Sequence, residues 1–266
     1  MNNYPLISVV TVSYNAVQTI ETTILSVINQ TYPNIEYIII DGGSTDGTID
    51  IIKKYEDKIA YWVSEPDKGI YDAMNKGIDK ASGEWINFMN CGDSFYTNEV
   101  LGEVFNNCDF FADIIYGDSN CIYNIGQYIR RGSIVTEQNC MPFIHQASFV
   151  RKRLMKEHNF NIKYKICADR DFFYYAFKQN KKFKYVSIII SNYEAETGLS
   201  SISLIDLMNE IGMIEGRNKS LKWKIKMWLL PTIVALKQYI KIILPLKITN
   251  ALKKYSLSKD KNMIGY

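Results

Sequence analysis

Cysteines are few and unpaired in this sequence, which removes two classes of protein from consideration. The five cysteines are odd in number, and no two form a Cys-x-x-Cys pair, so neither a disulfide framework nor a zinc site is indicated. We therefore expect a protein of the reducing cytoplasm. The first residues, Met1–Pro5, also lack the basic and apolar regions of a signal peptide, and we expect no export.

Long apolar runs and the commonest phosphate-binding loops are missing as well. The longest uncharged run of the basic C-terminal region, Met227–Leu236, has ten residues, whereas crossing a bilayer takes about 20. No Gly-x-Gly-x-x-Gly follows either of the first two predicted strands, which argues against a dinucleotide site. The segment after the first strand, Ser13–Val17, lacks the glycine-rich basic loop that a sugar nucleotidyltransferase needs for a triphosphate.

The N-terminal part contains the pattern of a βαβ unit. Apolar runs at residues 6–12 and 35–40 are predicted to be parallel strands, and a helix through Ile28 joins them. With 266 residues and 47% hydrophobic content, the chain can bury one such core plus an appendage. The second strand ends in Asp41-Gly42-Gly43-Ser44, at the edge of the sheet where ligands bind. The pattern therefore predicts a nucleotide pocket, with an ordinary turn as the alternative.

Four blocks of sequence carry a resemblance to a known family. They are Val9–Asn15, Asp41–Thr48, Ser64–Gly77 and Ala81–Asp93. In this order they resemble family 2 glycosyltransferases of the glycosyltransferase-A fold, in the version found in bacterial enzymes that build surface polysaccharides. The resemblance implies an α/β catalytic domain at residues 1–203, with a Rossmann-like, mostly parallel sheet flanked by helices. Residues 204–266 are expected to form a basic amphipathic helical tail.

The resemblance also implies a set of contacts with a nucleotide-sugar. These are Thr11, Ser13, Asn15, Asp41, Ser44, Asp67, Asp72, Asn75, Asn90, His145 and Gln146. Thr11, Ser13, Asn15 and Asp41 are expected around the ribose and the base, which we expect to be uracil. Asp67, Asp72 and Asn75 lie in a segment that closes over the nucleotide in the family, and His145 and Gln146 lie beside the acceptor and the leaving group. Ser13 and Asn15 are equally placed to cap the first helix, and a solvated helix would also account for Asp72 and Asn75.

A metal-binding cluster is expected where the fourth block ends, but it contains fewer acidic residues than the cluster of the family. Asp93 matches the metal-contacting aspartate of the family, whereas Asn90 and Gly92 replace acids. One carboxylate, together with diphosphate oxygens and water, can still hold a hard divalent cation. We therefore predict Mn²⁺ or Mg²⁺ at Asp93, with a capped turn as the alternative.

The last catalytic block is Ile166–Phe177. It resembles the Glu-Asp-x-Asp block of the family followed by a helix, with Ala168 in place of the first acid. Under this alignment Asp169 is the general base and Asp171 is a helix-start residue that the helix dipole favours, although both stay candidates for the base. The segment Glu194–Ser201 is expected to be a mobile loop that closes on donor and acceptor, with simple disorder as the alternative.

By resemblance, the protein moves a hexosyl or N-acetylhexosaminyl group from a UDP-sugar to a hydroxyl group, with inversion at the anomeric carbon. The acceptor is expected to be an oligosaccharide or a saccharide on a polyprenyl diphosphate carrier. Two alternatives come from other classes: a sugar nucleotidyltransferase, and a non-catalytic scaffold that binds sugar nucleotides. The scaffold gains support from Asn90, Gly92 and Ala168, which stand where the family has acids.

Charge is distributed unevenly along the chain. The overall net charge is +3, but twelve Lys or Arg residues and one acidic residue lie between Arg217 and Lys261, a net of +11. The lysines recur on one helical face and apolar side chains on another. We expect this tail to lie on the inner face of the cytoplasmic membrane. Packing on the catalytic domain or on a second copy of the chain is the alternative, and nucleic acid is not expected because its binding would leave the apolar face exposed.

Overall fold

The computed structural model describes residues 4–106, 111–137, 139–196, 203–260 and 262–265. The strands are β1 (Ile7–Ser13), β2 (Ile35–Asp41), β3 (Tyr61–Ser64), β4 (Trp85–Phe88), β5 (Ser94–Phe95), β6 (Ile114–Tyr123), β7 (Gly126–Arg130), β8 (Ser148–Arg151), β9 (Phe183–Glu194) and β10 (Met263–Gly265). The helices are α1 (Ile20–Ile28), α2 (Thr48–Lys54), α3 (Ile70–Lys80), α4 (Val100–Asn106), α5 (Lys152–Glu157), α6 (Ala168–Lys178), α7 (Leu204–Ile214), α8 (Leu221–Ile243) and α9 (Leu246–Ser258).

Strands β3, β2, β1 and β4 lie side by side in this order and run parallel. Ser13 pairs with Asp41, and Asp41 pairs with Ser64, so the ends of three strands reach the same level. Both faces of this half are buried: Val10 lies in the hydrophobic cluster that includes α3, and Val9 lies in the cluster that includes α1. This two-sided burial explains the uninterrupted apolar pattern of β1 and β2.

Helix α3 approaches the sheet closely at Gly77. A Cβ atom at this position would lie 2.4 Å from Cγ1 of Val10, so any larger residue would push the helix away from β1. The contact lets α3 pack across both β1 and β2.

Beyond β4 the sheet continues through β8, β6, β7 and β10 with antiparallel pairs, while β9 runs parallel to β6. Parallel ladders still carry most of the paired residues among the described strands, and the predicted α/β fold is confirmed. One local prediction is wrong: Glu194 is not the start of a loop but the last residue of β9. Residues 197–201 of the predicted mobile loop lie outside the described residues.

The C-terminal region is helical, as predicted, and it returns to the sheet. Helix α8 runs without a break through Pro231, and β10 pairs with β7. A Cβ atom at Gly212 would lie 2.5 Å from Nε1 of Trp223, which shows that the start of α8 packs directly on α7. Among the described residues, none of the helices has both the length and the apolar character that a bilayer crossing requires. The division into residues 1–203 and 204–266 stays a prediction.

Candidate active site

The carboxylate of Asp41 is fully buried at the end of β2 and is saturated with hydrogen bonds. It accepts from the hydroxyls of Ser13, Ser44 and Ser64 at 2.6 to 2.8 Å and from the backbone N–H groups of Gly43 and Ser44 at 3.0 and 2.8 Å. Burial raises the pKa of Asp41, but the bonds from the three serines outweigh it and hold the pKa below its usual value. Because a carboxylate offers about four lone-pair sites, these donors already occupy it. The contact of Asp41 with a base stays a prediction.

The two turns that follow β1 and β2 are bonded to each other. Asn15 donates its backbone N–H to the hydroxyl of Ser44 at 2.7 Å, and its side-chain oxygen accepts from the N–H of Thr45 at 3.0 Å. Asn15 has a φ of 47°, which asparagine adopts more readily than most residues. Helix α1 begins after Thr19 without a side-chain cap, so the alternative in which Ser13 and Asn15 cap this helix is wrong.

Thr11 faces the protein core rather than a ligand. Its side chain is fully buried, donates to the carbonyl of Met89 at 2.8 Å and lies 3.0 Å from the hydroxyl of Tyr37. Thr11 shares a strand face with Ser13 but lies two residues deeper. The predicted contact between Thr11 and the nucleotide is therefore corrected, because neighbouring strands cover the side chain.

Tyr14, Gly42 and Asp67 meet above these turns. A Cβ atom at Gly42 would lie 2.5 Å from Oδ2 of Asp67 and 3.3 Å from Cδ2 of Tyr14. Asp67 Oδ1 accepts from the N–H of Gly69 at 2.7 Å. Tyr14 is 66% exposed, and an exposed ring of this kind can stack on a base. The sequence analysis predicted Asp67 but missed Tyr14, although an aromatic residue directly after a strand end was a usable signal.

Asp72 and Asn75 do not converge on one ligand. The Asp72 carboxylate accepts from the backbone N–H of Lys68 at 3.0 Å and closes the turn before α3. The amide of Asn75 donates to the carbonyl of Phe160 at 2.8 Å and accepts from its N–H at 2.9 Å. Asn75 thus joins α3 to the segment after α5, and the structure gives it a packing role that the sequence analysis did not foresee.

Four predicted site residues do converge beyond the end of β4. Asp93 accepts a short hydrogen bond from Nε2 of Gln146 and a second one from the N–H of Glu194 at 3.1 Å. Nδ2 of Asn90 lies 3.1 Å from Nε2 of His145. His145 and Gln146 belong to a 3-10 turn that leads into β8, the antiparallel neighbour of β4. This pairing brings together residues that are more than fifty positions apart.

Asp93 is buried but poorly compensated. Burial raises its pKa to about 6, although the N–H of Glu194, the His145 ring and the Gln146 amide all act in the opposite direction. An ionised carboxylate here lacks the number of donors that Asp41 has. A nearby positive charge would therefore be strongly favourable at this position.

The residues around Asp93 fit a hard divalent cation. Oδ1 of Asn90 and Oε1 of Gln146 are buried and have no hydrogen-bond partner, and both lie on side chains that contact the Asp93 cluster. These two oxygens and the carboxylate of Asp93 are of the chemical type that Mg²⁺ and Mn²⁺ prefer as ligands. Within the described ranges, no three His, Cys, Asp or Glu side chains gather as metal ligands. The remaining ligands would have to come from a diphosphate and water.

Asp169 and Asp171 point in different directions from the start of α6. Asp169 Oδ2 lies 3.3 Å from Nδ1 of His145, and its Oδ1 accepts from the hydroxyl of Tyr71 at 3.1 Å. Asp171 lies 3.4 Å from Nε2 of His158, whose ring stacks on a tyrosine. Burial raises the pKa of Asp171, with His158 acting against it. Only Asp169 therefore faces the cluster of Asp93, and the neighbours His145 and Gln146 connect the two acids.

The α/β sheet, mostly parallel and flanked by helices, has the glycosyltransferase-A fold. The sequence model of Glycosyl transferase family 2 matches residues 8–180, and the chain belongs to this family. The resemblance noted from the sequence is thus confirmed.

Two relatives illustrate the range of the family. A "PGL/p-HBAD biosynthesis glycosyltransferase" of Mycobacterium bovis is 28% identical over 207 residues, which cover 74% of this chain and 80% of that protein. A "Putative teichuronic acid biosynthesis glycosyltransferase TuaG" of Bacillus subtilis is 41% identical over 104 residues, which cover 38% of this chain and 41% of that protein.

Two solved structures share the fold. TarS of S. aureus in complex with UDP-GlcNAc has a TM-score of 0.64 and 20% identity; the match covers 79% of this chain and 66% of that one. A mannosyltransferase of Pyrobaculum calidifontis in complex with GDP-Man and Mn²⁺ has a TM-score of 0.63 and 16% identity, with 96% and 80% covered. At these identities the similarity establishes the fold alone.

Proposed function

We propose that the protein transfers a hexosyl or N-acetylhexosaminyl group from a UDP-sugar to a saccharide hydroxyl, with inversion, during the synthesis of a bacterial surface polysaccharide. The observation that carries this proposal is the His145–Gln146 pair, which contacts Asp169 on one side and Asp93 on the other. In this proposal Asp169 lies on the acceptor side and Asp93 on the diphosphate side of a single reaction centre. The name of TuaG supports a role in surface polysaccharide synthesis, and the TarS complex with UDP-GlcNAc supports a UDP-sugar as the donor.

In the proposed reaction Asp169 is the general base. Its Oδ2 takes the proton of the acceptor hydroxyl while the acceptor oxygen attacks the anomeric carbon, and the bond from that carbon to the diphosphate oxygen breaks. His145 and Tyr71 hold the carboxylate of Asp169 in place. A divalent cation held by Asp93, Asn90 and Gln146 would supply positive charge that stabilises the departing nucleoside diphosphate. In the proposal Tyr14 and Asp67, which meet at Gly42, bind the nucleoside part of the donor.

A direct test separates this enzyme from a non-catalytic scaffold. The purified protein is incubated with Mn²⁺ and each of a set of UDP-sugars, with and without a polyprenyl-diphosphate-linked saccharide, and UDP release is measured. We expect release that depends on one sugar and on the acceptor. Binding of a UDP-sugar without release of UDP under any of these conditions would favour the scaffold, which the replaced acids at Asn90, Gly92 and Ala168 suggest.

We further propose that helices α8 and α9 lie on the inner, anionic face of the cytoplasmic membrane. Trp228 and Ile242 are 78% and 82% exposed, and they lie in the region with a net charge of +11. Aromatic and apolar side chains flanked by lysines suit the headgroup region, where each lysine contributes about 1 kcal/mol. A polyprenyl-linked acceptor would be presented at this surface.

Vesicle binding tests the membrane proposal. Trp228→Ala with Ile242→Ala should weaken sedimentation with vesicles of anionic phospholipid severalfold, whereas Ile134→Ala, at an equally exposed apolar position outside the tail, should not. Equal binding by both variants would contradict the proposal. Loss of a dimer in the tail variant, with vesicle binding unchanged, would assign the surface to a second copy of the chain.

A further inference from the structure

Three successive backbone N–H groups just before α6 point at one carboxylate from another helix. Glu210 of α7 accepts from Lys165 at 2.7 Å, from Ile166 at 3.0 Å and from Cys167 at 2.8 Å. Glu210 is only 8% exposed. A row of backbone N–H groups in this form is an anion-binding concavity, and the chain fills it with a carboxylate of its own.

The segment that Glu210 holds leads directly to Asp169, the second residue of α6. The carbonyl of Ile166 accepts from the hydroxyl of Tyr71 at 2.7 Å, and the same hydroxyl lies 3.1 Å from Oδ1 of Asp169. A tyrosine hydroxyl has one proton to donate, so the carbonyl and the carboxylate share it. A shift of residues 165–167 would therefore alter the hydrogen bond that Tyr71 gives to Asp169.

A second acid of the same region holds the residue on the other side of Asp169. Nη2 of Arg170 lies 2.5 Å from Oε1 of Glu215, and its Nε lies 3.1 Å from the same oxygen. The side chain of Glu215 is 3% exposed. The chain before Asp169 is thus attached to α7 through backbone N–H groups, and the residue after Asp169 is attached through its side chain to Glu215, which follows α7.

We infer that Glu210 is a positioning residue for the reaction: it fixes Lys165–Cys167, and through this segment it sets the direction in which Asp169 faces. The inference rests on the proposed role of Asp169 as base. It gives the first helix of the tail a function in the reaction that is separate from any contact with a membrane. If Glu210 only stabilised the fold, replacing it would lower the melting temperature without a specific effect on turnover.

The test compares Glu210→Gln with Glu137→Gln in the full chain. The glutamine keeps the size of Glu210 but presents an amide N–H₂ to backbone donors, so part of the segment loses its acceptor. We expect kcat to fall roughly 10- to 100-fold, the range typical of a displaced catalytic group, with the KM for the donor within twofold of the parent. Glu137 makes an exposed ion pair with Lys178 at the far end of α6, and its variant should keep the parent kcat.

Glu210→Asp provides a second variant if Glu210→Gln does not fold. It keeps the charge but is one methylene shorter, and it should recover part of the lost turnover. A well-folded Glu210→Gln protein with kcat within twofold of the parent would overturn the inference, and so would a loss of donor affinity equal to the loss of kcat.

A double-mutant cycle separates this inference from the proposed function. If Glu210 acts through Asp169, then Glu210→Gln should cost less than about threefold in a chain that already carries Asp169→Asn, because the two losses are not independent. If the fold-losses in kcat of the two single variants multiply in the double variant, the positioning role is overturned. Full activity of Asp169→Asn alone would instead overturn the assignment of the base, whatever Glu210→Gln does.

Discussion

The two buried aspartates at the carboxyl edge of the sheet differ in how many hydrogen bonds the protein gives them and in the direction of their pKa shifts. Asp41 accepts five hydrogen bonds and its pKa is lowered, whereas Asp93 accepts two and its pKa is raised to about 6. The amide oxygens of Asn90 and Gln146 have no hydrogen-bond partner, and the Gln146 side chain bonds to Asp93 through its Nε2. The turn at Asp41 is thus complete in the protein alone, whereas the carboxylate of Asp93 would be stabilised by the positive charge of the proposed cation.

The largest effect expected from this difference is on the rate of sugar transfer. Asp93→Asn should lower turnover roughly 1000-fold, because the charge that stabilises the leaving group contributes several kcal/mol, and excess EDTA should do the same to the parent protein. Without added metal, Asp93→Asn should melt at or above the temperature of the parent, since it no longer buries a charge. Full activity in excess EDTA would contradict the metal site.

Asp169→Asn should lower turnover by roughly 100-fold, as expected for the loss of a general base, and should leave donor affinity nearly unchanged. Asp171→Asn is the matched control, because Asp171 lies in the same first turn of α6 but faces His158. Steady-state rates and UDP-sugar affinity for both variants provide the measurement. A folded but inactive Asp171→Asn protein would transfer the role of base to Asp171.

Asp41→Asn should destabilise the fold by about 2 to 3 kcal/mol, because an amide cannot accept all the bonds that the carboxylate accepts. The free energy of unfolding in urea measures this loss, with metal-free Asp93→Asn as the comparison. An equal loss of stability in both variants would show that the two acids do not differ as described.

The smallest expected effect is on the pH dependence of cation binding. A proton competes with the cation for Asp93, so Mn²⁺ affinity should fall about tenfold for each pH unit below about 6. Calorimetry between pH 5 and 7 measures this affinity. The contribution of Asp93 to stability without metal has the opposite sense: it is present at low pH and is lost as pH rises through about 6. Asp41 contributes stability at neutral pH that is lost at acid pH. In Asp93→Asn the pH dependence of Mn²⁺ binding should disappear.

Local sequence predicted the parts of the site whose partners are near in the chain or in neighbouring strands. The apolar runs of β1 and β2, the turn at Asp41 and the order of the blocks were sufficient for the fold. Thr11 was misplaced because a strand pattern fixes the face of a side chain but not its depth below the strand end. The contact of Asn75 with Phe160 and that of Glu210 with Lys165–Cys167 were not predicted, because the partners lie 85 and about 44 residues away in the chain.

The pairing of β10 with β7 has a mechanical consequence. Met263–Gly265 bond to the edge of the sheet, while α7 is bonded to Cys167 at the start of α6, so the intervening helices α8 and α9 are anchored at both ends. A segment fixed at two separated points cannot swivel as a free arm does; it can only turn together with the body that carries it. Any torque that a surface exerts on these helices is therefore transmitted to the whole sheet. The protein would bind such a surface in a single orientation.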